Sequence, residues 1–182
     1  ENVVVKPDLE ETDLQRLFME KLVEEIRSLK SKEIDLRKDL LIEMRDQGKA
    51  ILVNIYPSLK SSFGDFEVVS VEEQIYENMS LIDLKETNFK GFIDLVIRTS
   101  DGKYHIIDWK TCSWGWDAKK KNDKIITYQL TLYKKFFCQK MNIDPKNVET
   151  HFALLKRTAK KNHVEFFRVT SGPRKTENAL KL

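Results

Sequence analysis

Three short groups of residues carry the chemistry legible in this chain. Asp108-Trp109-Lys110 sets a carboxylate and an ammonium two positions apart, and Asp94, in Gly91-Phe92-Ile93-Asp94, lies fourteen residues upstream. Gln129 and Tyr133 follow, four residues apart. On a strand, residues two apart point to the same side, so Asp108 and Lys110 share a face. A carboxylate is a hard oxygen donor suited to Mg²⁺ or Mn²⁺, and a lysine beside it can orient a water or offset charge growing on a phosphoryl group. Across a short hairpin, Asp94 would come within metal-bridging distance of Asp108. Two converging carboxylates raise the cost of ionising both; a divalent cation between them reverses that, because its own charge dominates the local field. The chemistry this constellation could perform is metal-assisted attack of water on a phosphodiester.

Each group also has a plainer reading. Asp-x-Lys on a strand is commonly a solvated face. Against that, Asp108 follows Ile106-Ile107, and Asp94 interrupts Phe92-Ile93 and Leu95-Val96-Ile97. Lone acids inside apolar strands need partners, and a metal is a natural one. Gln129 and Tyr133 would share a helix face, although a core aromatic beside a surface amide gives the same pattern. Trp114-Gly115-Trp116 and the lysines Lys119, Lys120, Lys121 and Lys124 lie between strand and helix, with only Asp123 opposing that charge. Aromatics that stack on bases and lysines that meet phosphates describe a sequence-tolerant single-strand binder. A hydrophobic plug and a solvated loop are the alternatives.

These residues need positioning elements. Leu14, Leu17, Phe18, Leu22, Ile26 and Leu29 recur at helical steps. A second helical stretch begins near Glu33, with Leu40, Leu41, Met44, Gly48, Ile51, Leu52 and Ile55 as its stripe, and Tyr56-Pro57 is expected to end or kink it. Residues 1–7 form an extended lead-in closed by Pro7. From Phe66 the period becomes that of a strand, with Val69, Val71, Glu73 and Ile75 on one face. Residues 76–88 have no clear period. Residues 89–98 and 104–109 are strands joined by Asp101-Gly102, which predicts a hairpin. Residues 111–124 are expected as loop and 125–141 as helix; 150–157 and 163–169 are expected as strands, and Ser171-Gly172-Pro173 closes the regular structure. The order predicts an α/β or α+β sandwich with a mixed sheet in the middle.

The 182 residues fit one domain, divided into a helical part (1–64), an α/β core (65–170) and a tail (171–182) with room for a truncated helix. No apolar run is long enough to span a bilayer, so no membrane partner is expected. The net charge of +3 does not itself indicate nucleic-acid binding. Cys112 and Cys138 cannot alone complete a four-cysteine metal site, and a reducing, intracellular setting is expected: the cytoplasm of a bacterium or phage-infected cell, or an organelle. The chain opens at Glu1, so a larger parent protein, or a replication or recombination assembly, is an expected setting.

Gly91-x-x-Asp94, Asp108-Trp109-Lys110-Thr111 and Gln129-x-x-x-Tyr133, in this order and spacing, resemble the signature of the PD-(D/E)xK nuclease superfamily, and within it the RecB-like exonuclease branch. The resemblance spans roughly residues 66–170. It implies a restriction-endonuclease-like core, a central mixed sheet flanked by helices. Asp94, Asp108 and the backbone carbonyl of Trp109 would hold Mg²⁺ or Mn²⁺, Lys110 would be the catalytic lysine, and Gln129 and Tyr133 would shape the site and contact DNA near the scissile phosphate. Glu72 or Glu73 would be the acid on the preceding strand. Many members of this branch place a histidine ligand on an N-terminal helix after a glycine; residues 48–54, GKAILVN, hold none, and Glu43 is the candidate in its stead. His105, His151 and His163 fall in strands or turns and are assigned no metal. The activity implied is metal-dependent exonuclease action on DNA ends or single strands, in replication, recombination or repair. A nuclease-fold subunit that binds DNA without turnover, and a restriction-type or RNA-cleaving endonuclease, are the alternatives.

Overall fold

A computed structural model describes residues 11–78 and 88–181; the lead-in expected over residues 1–7 lies outside them. Two helices come first, α1 (Glu11–Ser31) and α2 (Lys38–Phe63), then strands β1 (Phe66–Asn78), β2 (Asn88–Thr99) and β3 (Tyr104–Cys112). A short helix α3 (Ala118–Lys121) and the long α4 (Lys124–Met141) lead to β4 (Val148–Lys156), β5 (Val164–Val169) and α5 (Pro173–Leu180). The strands form one five-stranded sheet in sequence order. Every neighbouring pair is antiparallel except β3–β4. That parallel pair requires a crossover, which α4 provides. No helix among the described residues is long and apolar enough to cross a membrane.

The sheet is covered on both faces. On one, Leu130, Tyr133, Phe136 and Phe137 of α4 pack on Ile93, Val96, Ile106, Phe152 and Leu154. On the other, Ile55, Leu59 and Phe63 of α2 pack on Leu95, Ile97, Ile107 and Ala153, with Trp109 and Phe166 at the margin. The helix α4 begins where Asp123 accepts the Ile125 and Ile126 N–H groups. It ends at Asn142, which adopts the left-handed conformation.

Four expectations are corrected. Pro57 neither ends nor breaks α2, which continues to Phe63 and is closed by the Gly64 N–H on the Lys60 carbonyl. Proline forfeits one helical hydrogen bond, but Leu59 and Phe63 beyond it are seated in the core, and their burial outweighs the loss. Leu40 and Met44, assigned to the buried stripe of that helix, are exposed. Residues 111–124 are not wholly loop, since Asp117 caps α3 by accepting the Lys120 N–H. Regular structure resumes after Ser171-Gly172 as α5, whose Ala179 and Leu180 reach the α4 side of the core.

The fifth correction bears on the site. Val69, Val71, Glu73 and Ile75 do not share a face. The β1–β2 register shifts between Val68 and Ser70, and Glu72 has φ of 51°. Ile75 packs on the α4 side whereas Val71 lies along a cleft on the α2 side. The partner strand flips at the same level: Ile93 belongs to the α4-side core and Leu95 to the α2-side core. Strict alternation would put residues two apart on one face. Asp94, which lies between them, therefore sits at a break in the sheet.

Candidate active site

The β2–β3 ladder runs from Arg98↔Tyr104 to Leu95↔Ile107 and stops. One further step would pair Asp94 with Asp108, and there the strands part. Asp94 fills the gap with its side chain: its Oδ2 accepts the Trp109 N–H at 2.7 Å. A strand residue's N–H and C=O leave on the same edge, so the Trp109 carbonyl is directed at the same gap. β3 itself continues, paired with β4 along its whole length, which keeps Asp108, Trp109 and Lys110 on a rigid strand.

Asp108 is 2% exposed. Burial pushes its carboxyl pKa up, Lys110 opposes that shift, and the nearby charge of Asp94 adds to it. The Lys110 Nζ lies 2.6 Å from Asp108 Oδ2 and 5.7 Å from the centre of the Phe152 ring. At that short distance the approach angle is poor, so the contact is an ion pair and Oδ2 is left without a directed hydrogen bond. Two carboxylates close enough to feel each other's charge, with one ammonium between them and water, form a site short of positive charge. Oxygen donors of this kind fit Mg²⁺ or Mn²⁺.

The helix pair joins the same region. Gln129 Nε2 donates to Tyr133 Oη at 3.1 Å, and Tyr133 is 6% exposed, against the α4 side of the sheet. A β carbon on Gly91 would lie 2.6 Å from Tyr133 Cε1. The first glycine of the upstream group is thus the space into which the tyrosine of the downstream group fits.

The family model of the PD-(D/E)XK nuclease superfamily matches residues 3–181. The chain belongs to this superfamily. No curated protein matches the nuclease. Among solved structures, 12 chains match. One of them, described as the crystal structure of SSO0001, is 16% identical with a TM-score of 0.43, over 97% of the nuclease and 74% of its own chain. Membership of a nuclease superfamily makes nucleic acid the substrate.

The other sequence-derived residues of the nuclease are distributed as follows. Trp116 packs on Phe152 and Phe167 as part of the α4-side core, whereas Trp114 is 75% exposed. Lys120 lies over the Trp116 ring, and Lys121 is tied to Glu165 at 2.6 Å. Lys119 and Lys124 are exposed. Glu73 is held by Lys140 at 2.7 Å, and Glu72 is exposed at the break in β1. Glu43 is exposed and accepts from Gln47 at 2.7 Å. The part of α2 that faces Asp94 comes later in the helix: Leu52, Val53 and Tyr56 line a cleft of about 310 Å³ together with Asp94, Leu95 and Trp109. Gly48 serves the packing of the two N-terminal helices, since a β carbon there would meet Phe18 at 2.3 Å. Sequence reasoning missed this cleft, because its walls come from α1, α2, β1, β2 and β3 together.

Proposed function

We propose that this nuclease is a metal-dependent exodeoxyribonuclease acting on DNA ends or single strands, and that residues 1–182 form one catalytic domain. The observation that carries the proposal is the gap at the end of the β2–β3 ladder, where Asp94 holds the Trp109 N–H and the neighbouring Asp108 is paired with Lys110. The Gln129–Tyr133 pair, seated on Gly91, supports the exonuclease branch, since that is the part of the signature in which the RecB-like members resemble this chain.

Asp94, Asp108 and the Trp109 carbonyl would hold Mg²⁺ or Mn²⁺, which when bound supplies a Lewis acid and an acidified water. The chain's own groups account for the rest. Asp94 is fixed by the Trp109 N–H before substrate arrives, so little reorganisation is needed. The Lys110 ammonium stands where it can hold the attacking water and neutralise charge on the phosphoryl oxygens. Low exposure around Asp108 limits screening of both charges. Gln129 and Tyr133 flank the site from α4 and contact the backbone near the scissile phosphate. Trp114, with Lys119 and Lys124, provides an exposed aromatic and exposed cations for an unpaired strand, joined by Lys120 from its place over the Trp116 ring; Trp116 and Lys121 contribute by shaping that loop. Glu43 lies on α2 before the part that faces Asp94, and Glu73 is held by Lys140, so any part that Glu43, Glu72 or Glu73 takes in a second metal position is secondary to the Asp94–Asp108 pair.

The decisive assay incubates the protein with linear single-stranded, linear duplex and circular single-stranded DNA, and with RNA, in Mg²⁺ or Mn²⁺ and again in EDTA. Linear DNA should be degraded, circles and RNA spared, and EDTA should abolish the reaction. Asp108→Ala should slow it by about 10³-fold. An Asp108→Ala protein as fast as wild type would overturn the catalytic assignment; circles cut as fast as linear strands would overturn the exonuclease one.

A further inference from the structure

His105, Glu149 and His151 meet on the α2 face of the sheet, at the start of the β3–β4 pair. Parallel register sets His105 opposite Glu149 and Ile107 opposite His151. Both histidines are 7% exposed, and the Phe63 ring of α2 packs on the two imidazoles at 4.9 and 5.0 Å between centres. The catalytic carboxylates are elsewhere: Asp108 is three residues further along β3, about 10 Å at the rise of a strand, and its side chain leaves on the opposite face from His105.

We propose that these three residues form a second metal site, specific for Zn²⁺ or a similar borderline transition ion and separate from the Mg²⁺ or Mn²⁺ chemistry of the nuclease centre. One pair of donor atoms already has the spacing of a coordination polyhedron, and the third donor lies about an ångström outside it. His105 Nδ1 is 3.1 Å from His151 Nε2, His151 Nε2 is 3.8 Å from Glu149 Oε2, and all three ligand atoms lie within 4.8 Å of one another. Tetrahedral zinc with Zn–N bonds of about 2.0–2.1 Å separates its ligand atoms by roughly 3.3 Å. Two imidazoles and one carboxylate also suit zinc far better than magnesium.

The groups behind the ligands are arranged to orient them. Thr99 Oγ1 lies 3.2 Å from His105 Nε2, so this nitrogen can donate its N–H there, and Nδ1, which shares a hydrogen bond with His151 Nε2 at 3.1 Å, would exchange that bond for the ion. Arg168 and Lys103 approach Glu149 through Oε1, at 3.3 and 3.7 Å, leaving Oε2 turned to the histidines. An ion here would pin the start of β4 to β3 and, through Phe63, the end of α2 to both. Its role is structural.

The test needs no nucleic acid, so its result is independent of the nuclease reading. Protein stripped with EDTA and dialysed is titrated with Co²⁺, a spectroscopic substitute for Zn²⁺, and melted with and without Zn²⁺. One equivalent of Co²⁺ should produce the visible bands of a tetrahedral N,O site, and Zn²⁺ should displace it. Zinc at about a hundred times its dissociation constant should raise Tm by about 5–10 °C. Both signals should vanish in His151→Gln and Glu149→Gln and survive in the Asp94→Asn/Asp108→Asn double variant. Using both cluster variants covers the case in which one fails to fold. Wild-type protein without Co²⁺ bands or a zinc-dependent rise in Tm overturns the proposal. So do signals that persist in Glu149→Gln and His151→Gln but disappear with Asp94 and Asp108.

Discussion

Replacing Gly91 with alanine tests how the strand and helix halves of the proposed site are joined. A β carbon at this position would lie 2.6 Å from Tyr133 Cε1, 3.3 Å from its hydroxyl and 3.4 Å from the Phe89 ring. Carbon atoms prefer a separation of roughly 3.5–4.0 Å, so the tyrosine ring would have to retreat by about 1 Å. Tyr133 is buried against the sheet with Phe89 edge-on to it, and overpacking such a position costs about 1–3 kcal/mol. One effect works the other way. Gly91 has no left-handed φ, so alanine would otherwise stabilise by about 0.4–1 kcal/mol through the unfolded chain. The net expectation is a loss of about 1–2 kcal/mol, a Tm lower by about 3–6 °C for a protein of this size. Activity at a temperature where the variant is still folded should fall about tenfold, because displacing Tyr133 also breaks its bond with Gln129. Thermal melts and single-turnover DNA degradation measure the two effects. In a Tyr133→Leu background the ring is gone, and the alanine should be tolerated, with a coupling of about 1 kcal/mol or more in the double-mutant cycle. Equal costs in the two backgrounds, or a wild-type melt for Gly91→Ala, would refute the account of this glycine as room for Tyr133.

The two tryptophans of the β3–α4 connection should separate cleanly. Trp114→Ala should leave Tm almost unchanged and weaken single-stranded DNA binding by about 1–3 kcal/mol in fluorescence anisotropy at fixed salt, whereas Trp116→Ala should cost about 3 kcal/mol of stability; a destabilised Trp114 variant would contradict its exposure. Glu165 gives a pH signature. A hydrogen bond from Lys121, joined by one from Lys156, holds its carboxyl below the ordinary 4.5. That stabilisation is therefore complete above about pH 4.5 and is lost as pH falls through the lower folded value. Glu165→Gln should make the decline of Tm between about pH 5 and pH 3 shallower, and an unchanged slope would show that the lysines do not act on this carboxylate.

Local chemistry made much of the fold legible. The Asp101-Gly102 pair forms the β2–β3 turn, with Gly102 at φ of 80°, because an Asp-Gly turn between two apolar runs has few other solutions. The helix expected over 125–141 was equally plain from its apolar spacing, and it is observed from Lys124 to Met141. What escaped depends on contacts between distant segments. Pro57 looked like a stop because its local penalty is visible in sequence and the burial of Leu59 and Phe63 is not. The face reversal at Glu72 and Asp94 arises from pairing of two strands, whereas a periodic pattern assumes that each strand alternates alone. His105 and His151 are 46 positions apart and meet only through the parallel β3–β4 register, so neither strand by itself suggests a cluster. The split between Trp114 and Trp116 is likewise decided by Phe152 and Phe167, which arrive on later strands. The closeness of Asp94 to Trp109 and of Asp108 to Lys110 was legible because the hairpin that joins them is short.

That hairpin also bears on the order in which the centre forms. Asp94 and Asp108 are 14 positions apart along the chain, while Asp108 and its β4 neighbour Phe152 are 44 apart. Loop-closure entropy favours the shorter contact by about 1 kcal/mol, and the longer one also requires α4 to be in place. Chain topology therefore lets the two acids meet while both are hydrated, when water screens most of their repulsion. Desolvation comes with the docking of β4, after the Trp109 N–H has become available to Asp94. An unfavourable juxtaposition is thus assembled while it is hydrated and sealed afterwards.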